Sequence, residues 1–502
     1  MSIADCFCGI AAACLLSAPL EGASCESLAS LKLPGAAITV AQPVTEGSFQ
    51  PPDGVALHNL PALCRVAGVL QPSADSEIHF EVWLPATGWN GKFQGIGNGG
   101  FAGSIDYRGL GSAVSHGYAA AASDTGHHAG GTDAAWALGH PEKVVDFGYR
   151  AVHETAEKGK AIVADFYGGA PKRSYFASCS NGGRQALMEA QRYPEDYDGI
   201  VAGAPANYWT HLLAAAAWDL RALLDDPAGY VPASKMPAVE AAALAACDAN
   251  DGLKDGVIDN PARCKFDPAV MLCKGSDNDT CLTAPQVAAL QKIYAGPHDA
   301  KGRSVFPGYS PGGEGGQAGW PAWITGPAPE KSLMYAFGTQ FFKNMVFQDA
   351  AWNYHTFDLE HDTKVADDKL ARTLNATDAD LKKFRDRGGK LILFHGWSDA
   401  AIPPQNAIDY YQTVVKKMGE KNTEGFLRLY MLPGVQHCGG GPGPNTFDFS
   451  APLERWVEDG AAPTEVIAKN GARTRPLCPY PLVERYKGTG STDEAANFTC
   501  GK

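Results

Sequence analysis

A chain of 502 residues with 45% hydrophobic side chains can bury a large core and is longer than one compact domain usually holds, so one large domain with a sizeable insertion is expected. The formal net charge of −13, spread without long like-charge runs, argues against nucleic acid and against anionic membrane surfaces as partners. No zinc-finger or P-loop spacing occurs.

Residues 1–23 open the chain with an apolar, small-residue stretch (CFCGIAAACLLSAPLEGA) of the length of a signal-peptide core, and they are read as a signal peptide although the usual basic start is missing. A lipoprotein reading at Cys14 is weaker, because Ala11, Ala12 and Ala13 leave no Leu at the usual place. Beyond this stretch no run is long enough to span a bilayer. Thirteen cysteines less Cys6, Cys8 and Cys14 leave ten, an even number without metal-ligand spacing. Cys247 with Cys264 and Cys273 with Cys281 close short loops, Cys478 with Cys500 staples the C-terminus, and Cys25 and Cys64 are counted among the bridged cysteines. An oxidising compartment follows, secreted or periplasmic.

In chain order, Glu77 to Pro85 alternates as a half-buried strand and Lys92 to Ile96 reads as the next. The second ends in Gly97, Asn98, Gly99 and Gly100, a turn whose backbone N–H groups can approach a ligand, as an oxyanion hole requires. Tyr118 to Asp124 is a third apolar run, and Lys143 to Tyr167 has helical periodicity. The stretch RSYFASCSNGGRQALMEAQR (Arg173 to Arg192) then reads as a buried strand, a tight turn carrying Ser180, and a helix opening on Gly182 and Gly183. That is the order of a nucleophile elbow, met in part: Ser178 stands where the G-x-S-x-G pattern has its first glycine. Ile200 to Ala204 is another short strand.

From 206 to 374 the alternation of strand and helix breaks down. The region is rich in Gly and Pro and carries Trp209, Trp218, Tyr309, Trp320, Trp323, Tyr335, Phe341, Phe342, Phe347 and Trp352. It is read as a lid, with two or three of these rings expected at a substrate and the rest forming its core. Within it, CDANDGLKDGVIDNPARC sets Asp248, Asp251, Asp255 and Asp259 within twelve residues between two cysteines. No Glu stands where an EF-hand needs one. The spacing alone leaves a Ca²⁺ loop and a solvated acidic turn equally open.

Alternation returns at Gly389. LILFHGWSD is a buried strand (Leu391 to Phe394) ending in a loop that presents Asp399, with Pro403 and Pro404 opening a helix. LRLYMLPGVQHCGG is a strand (Leu427 to Met431) followed by a loop that presents His437. Serine, acid and histidine, each just past a strand end, follow the triad order of an α/β-hydrolase. The rival groups read otherwise: His395 in its strand-to-loop turn and Asp124, His127, His128 and His153 in the first half as structural, and Asp358, His361 and Asp362 at the lid's exit as a solvated hinge.

Cys179 precedes the candidate nucleophile and Cys438 follows the candidate base, so convergence of Ser180 and His437 would bring these cysteines close enough to bridge. With WNGKFQGIGNGGFAG, SDTGH, DFGYRAVHE, CSNGGRQALMEAQRYPEDYDGIVAGAPA, GWSD and QHCGGG, this pattern resembles the tannase and feruloyl esterase family, which includes mono(hydroxyethyl) terephthalate hydrolases. The resemblance covers most of the chain after residue 60. It implies an α/β-hydrolase fold over 24–205 and 375–502 with the lid domain at 206–374. It further implies Ser180 as nucleophile, His437 as base, Asp399 as its orienting acid, and a bridge from Cys179 to Cys438. It also implies a structural lid calcium on Asp248, Asp251 and Asp255 and the main-chain oxygens of Leu253 and Val257. The expected chemistry is hydrolysis of a small-molecule ester of an aromatic acid through an acyl-enzyme, with the N–H of Asn181 and one from Gly99 or Gly100 meeting the oxyanion. Feruloyl-type esters lead, with galloyl and terephthaloyl monoesters behind. The reading from another class is a calcium-binding interaction module on an inactive hydrolase scaffold.

Overall fold

A computed structural model describes residues 22–502 apart from 53 and 317, so nearly all of the segment read as a signal peptide lies outside the described residues. Its main sheet comprises β1 (Ala36–Val44), β2 (Leu63–Leu70), β3 (Ile78–Pro85), β4 (Lys92–Ile96), β5 (Ala119–Ser123), β6 (Arg173–Cys179), β7 (Gly199–Gly203), β8 (Lys390–Gly396) and β9 (Leu427–Leu432). The spatial order is β1-β2-β3-β5-β4-β6-β7-β8-β9. Pairings up to β3–β5 are antiparallel and those from β5–β4 onward are parallel.

The period-two alternation of side chains divides each strand between two apolar layers. Leu391 and Leu393 of β8 pack with Leu427 and Leu429 of β9 against Ile162, Leu187 and Ile408 on one face. Ile392 and Phe394 pack with Tyr430 and Leu432 against Leu110, Leu453 and Trp456 on the other. Helices cover both faces, which is why the central strands read as continuous apolar runs rather than alternating ones. This is the α/β-hydrolase arrangement, with the antiparallel pair β1–β2 at one edge.

Three sequence expectations shift in detail. The helix read over Lys143 to Tyr167 is a helix at Pro141–Val145, a π-helical turn at Asp146–Arg150 and a helix at Ala151–Tyr167. The π turn presents the carbonyls of Phe147 and Gly148 to the buried guanidinium of Arg184, which donates to them at 2.9 and 2.7 Å. The elbow helix opens on Asn181, one residue before Gly182. β1 and β2 were not anticipated; β1 is half exposed, which weakens its hydrophobic signature.

Between β7 and β8 no described residue joins the main sheet. The segment is helical, with helices at Trp209–Leu224, Met236–Cys247, Ala284–Ala295, Leu333–Gln340 and Leu359–Leu374. It rests on the C-terminal ends of the parallel strands: Ser398 donates its hydroxyl to the Gly312 carbonyl at 3.0 Å and Gln436 its amide to Gly315 at 3.2 Å. Several of its aromatics, Trp320, Phe341 and Phe342 among them, are buried in packed clusters, while others such as Trp218, Trp323, Phe347 and Trp352 pack against these clusters partly buried. Disulfides join Cys25 to Cys64, Cys179 to Cys438, Cys247 to Cys264, Cys273 to Cys281 and Cys478 to Cys500.

Candidate active site

The elbow is built by close packing. Ser180 has φ 67° and ψ −125°, a conformation non-glycine residues rarely adopt, held by its N–H donating to Gly203 at 2.9 Å and its carbonyl accepting from Arg184 and Ala206. Gly183 lies so near β7 that a Cβ would come 2.3 Å from the Gly203 carbonyl. Ser178, the departure from the usual pattern, is accommodated because Gly182 and Gly97 carry no Cβ; its hydroxyl fills the space between them.

Three strand ends converge at this turn. His437 Nε2 lies 2.9 Å from Ser180 Oγ, and His437 Nδ1 lies 2.8 Å from Asp399 Oδ2. Asp399 is fully enclosed: its Oδ1 accepts the N–H groups of Ala401 and Ile402 at 2.7 and 3.0 Å, and its Oδ2 also receives His395 Nε2 at 3.1 Å. Burial pushes this carboxyl up, but the charge of His437 and the hydrogen bonds from His395 and His437 outweigh it and hold the group well below the usual carboxylate range. The bridge from Cys179 to Cys438 clamps the residue before Ser180 to the residue after His437. Hydroxyl, imidazole and ionised carboxylate thus stand in series, the geometry that activates a weak nucleophile.

A cavity opens at Ser180 between Trp209, Leu212, Leu213, Trp323, Met334 and Phe337, with Gly100 and Asn181 at its base. No lining side chain bears a formal charge. Asn181 N–H and Gly100 N–H donate to no protein group among the described residues, so both are free to meet an oxyanion. Gly100 has φ 54°, and a Cβ there would come 2.2 Å from the Gly131 carbonyl, so the turn requires glycine. Trp323 meets the His437 ring edge-on at 5.1 Å between centroids. Of the rings singled out in the sequence, Trp209 and Trp323 line the cavity; Phe337, Met334, Leu212 and Leu213 do so without a signal that separated them from ordinary helix-core residues.

The rival groups sit elsewhere. Asp124 accepts N–H bonds from His79 and Gly126, and burial raises its carboxyl to about 7. His127 donates to the Phe101 carbonyl and stacks on Trp136, and burial lowers its ring to about 4. His128 is exposed, His153 pairs with Asp196 at 2.6 Å, Asp358 caps a helix, and His361 pairs with Asp362. Only His395 among them is hydrogen-bonded to a member of the series.

The acidic loop is closed by the Cys247–Cys264 bridge. Asp248 accepts the N–H groups of Asp255 and Gly256, Asp251 accepts that of Leu253, and Asp255 is paired with Arg475 at 2.8 Å. The carbonyls of Leu253 and Val257 accept no hydrogen bond among the described residues. Carboxylates and free carbonyls on one clamped loop are hard-oxygen donors of the kind Ca²⁺ takes, although the carboxylate oxygens of Asp248, Asp251 and Asp255 are not all gathered within 4.8 Å of one another.

A sequence profile described as "Tannase and feruloyl esterase" matches residues 64–501. An uncharacterised esterase of Xanthomonas campestris is 42% identical, over 97% of this chain and 92% of that protein. The mono(2-hydroxyethyl) terephthalate hydrolase of Piscinibacter sakaiensis is 35% identical, over 88% and 85%. The crystal structure of feruloyl esterase B from Aspergillus oryzae superposes with a TM-score of 0.89 at 28% identity, covering 95% of this chain and 99% of that one.

Proposed function

The chain belongs to the tannase and feruloyl esterase family and is a carboxylic ester hydrolase, and we propose that it cleaves esters of neutral aromatic acids of the hydroxycinnamic type through Ser180, His437 and Asp399. The observation that carries this reading is the hydrogen-bonded series from Ser180 to Asp399 at the mouth of an apolar cavity. His437 takes the Ser180 proton as the oxygen attacks the ester carbonyl, while Asp399 fixes the imidazole tautomer and stabilises its charged form. The developing oxyanion is met by the N–H groups of Asn181 and Gly100, a contribution of about 3 kcal/mol per donor. His437 then returns the proton to the departing alcohol, and water repeats the sequence on the acyl-enzyme.

The cavity supports the choice of acyl group. Its aromatic and aliphatic walls suit a planar ring. A terephthaloyl monoester would bring a carboxylate into it with no cation to pair, and a galloyl group three hydroxyls with few acceptors, both costly on desolvation. Residues 206–374 serve as the lid that supplies Trp209, Trp323, Met334 and Phe337 to that wall. Calcium held by Asp248, Asp251, Asp255 and the carbonyls of Leu253 and Val257 would neutralise the carboxylates of the loop and fix its conformation, away from the reacting atoms. Five disulfides support work outside the cytoplasm; among the described residues no helix is long and apolar enough to cross a membrane.

The test is a panel of methyl ferulate, methyl gallate and mono(hydroxyethyl) terephthalate compared by kcat/KM, with Ser180→Ala alongside. Methyl ferulate should lead, and Ser180→Ala should be folded and inert. Activity of Ser180→Ala within tenfold of wild type, or terephthalate preferred over ferulate, would refute the corresponding half of the reading.

A further inference from the structure

We propose that His395 is a positioning residue of this esterase: its Nε2–H, donated to Asp399 Oδ2, holds the triad carboxylate in the orientation that His437 requires. The inference rests on the Ser180, His437 and Asp399 reading above.

The tautomer follows from geometry. His395 Nε2 lies 3.0 Å from the Ile402 carbonyl and 3.1 Å from Asp399 Oδ2. A carbonyl oxygen only accepts, so Nε2 carries the hydrogen, and the same N–H is shared with the carboxylate. The ring is wholly buried at the end of β8, and its Nδ1 has no partner among the described residues. A buried imidazole with one nitrogen unpaired is a poor way to fill a strand end, because the unpaired group forfeits its hydration. An aliphatic side chain would fill the space without that cost. What only the imidazole supplies is the second donor on Oδ2.

That donor matters because the two carboxylate oxygens are held differently. Oδ1 is fixed by two backbone N–H groups of its own loop, whereas among the described residues Oδ2 is held only by the two histidines, one of which moves a proton in each turnover. With His395 removed, Oδ2 answers to His437 alone, and the carboxylate can turn and can take a proton more readily. The ionisable groups that face it are His395 from its own strand, His437 from the loop after β9, and Tyr309 from the 206–374 segment, whose phenol is pushed up by burial and by the charges of Asp219 and Asp399. Tyr309 makes no hydrogen bond to Asp399 among the described contacts, so it does not replace the lost donor.

The experiment compares His395→Leu, which removes the donor, with His395→Gln, whose amide N–H reaches toward the place of Nε2. Both are measured in the full chain on the fastest ester of the panel across pH 5 to 9, with near-ultraviolet circular dichroism to establish folding and with Ser180→Ala as control. A hydrogen bond to a charged group implies a kcat about ten- to a hundredfold lower in the Leu variant with KM little changed. The acid limb of kcat/KM should move to higher pH, because a carboxylate short of one donor protonates more easily and draws a charged imidazole more strongly. The Gln variant should recover to within about tenfold of wild type, with its acid limb in place. A folded Leu variant with wild-type kcat and an unmoved acid limb overturns the inference, even if it melts lower. If the Leu variant does not fold, the Gln variant decides: recovery upholds the inference and an inert folded Gln variant overturns it. Turnover persisting in Ser180→Ala would instead overturn the triad reading beneath it.

Discussion

Replacing Gly182 with Ala should damage both stability and rate, for a reason that a second substitution can remove. A Cβ at 182 would stand 1.9 Å from Ser178 Oγ and 2.6 Å from Ser178 Cβ, with the Asn98 carbonyl next at 3.3 Å. Turning the Ser178 hydroxyl away relieves the first contact and leaves the second, so β6 and the elbow helix must part, and Ser180 lies between them. Overpacking of this kind costs about 1–3 kcal/mol. Displacing Ser180, the proposed nucleophile, by about 1 Å should cost roughly a hundredfold in rate. Ser178→Gly deletes both short contacts and leaves only the carbonyl at 3.3 Å, which small shifts absorb. Ser178→Gly alone should cost no more than about 1 kcal/mol, the usual cost of glycine in a strand. The double variant should regain most of the activity, with a coupling of at least about 1 kcal/mol in the cycle. Urea melts and kcat on the fastest ester measure all four proteins. A Gly182→Ala enzyme that matches wild type, or a double variant no better than the single, would refute this account of the elbow.

Further outcomes follow from other parts of the molecule. Cys179→Ser with Cys438→Ser opens a link spanning 259 positions, which the chain-entropy model values at up to ~5 kcal/mol; assayed well below its melting temperature, the variant should lose kcat far more than it raises KM, and an unchanged kcat would count against the bridge as a spacer of Ser180 and His437. Calcium that binds only the folded chain must raise its stability, so melts with calcium and with chelator should differ and the purified protein should contain the metal; identical melts without bound calcium would contradict the loop assignment. Asp124, raised to about 7 by burial, keeps in the folded chain a proton that the unfolded chain releases near pH ~4. Its contribution to stability is therefore full below that pH and is lost as pH rises through about 7. Asp124→Asn should flatten this decline in melting temperature, and parallel pH profiles for variant and wild type would disprove it.

The sequence is most legible where a single strand and turn decide a residue's place. Ser180, Asp399 and His437 each stand at the C-terminal end of a strongly apolar strand, so their convergence could be expected without long-range knowledge of the fold. β4 shows the same local sufficiency: Lys92–Ile96 ends at the glycine turn that supplies the N–H of Gly100. The cavity wall was less legible, because Leu212, Leu213 and Phe337 lie on helices whose apolar faces look alike whether they meet a neighbouring helix or a ligand. His395 reads as structural in the sequence for a related reason. Its role depends on the path of the loop to Ile402, which folds the chain back so that one N–H reaches both a carbonyl and Asp399. The π turn was hidden because it serves Arg184, a partner distant in sequence.

The bond between Cys179 and Cys438 also makes a closed ring of the stretch between them, with Ser180 and His437 seated at the clasp. The whole of 206–374 hangs inside this ring. Lengthening a ring adds to its closure entropy only as a logarithm, about 0.6 kcal/mol for each doubling. Residues that shape the cavity can therefore be added, removed or exchanged far out on the ring while the distance across the clasp stays the same. Evolvability of the cavity wall and constancy of the spacing between Ser180 and His437 are thereby separated by one covalent bond.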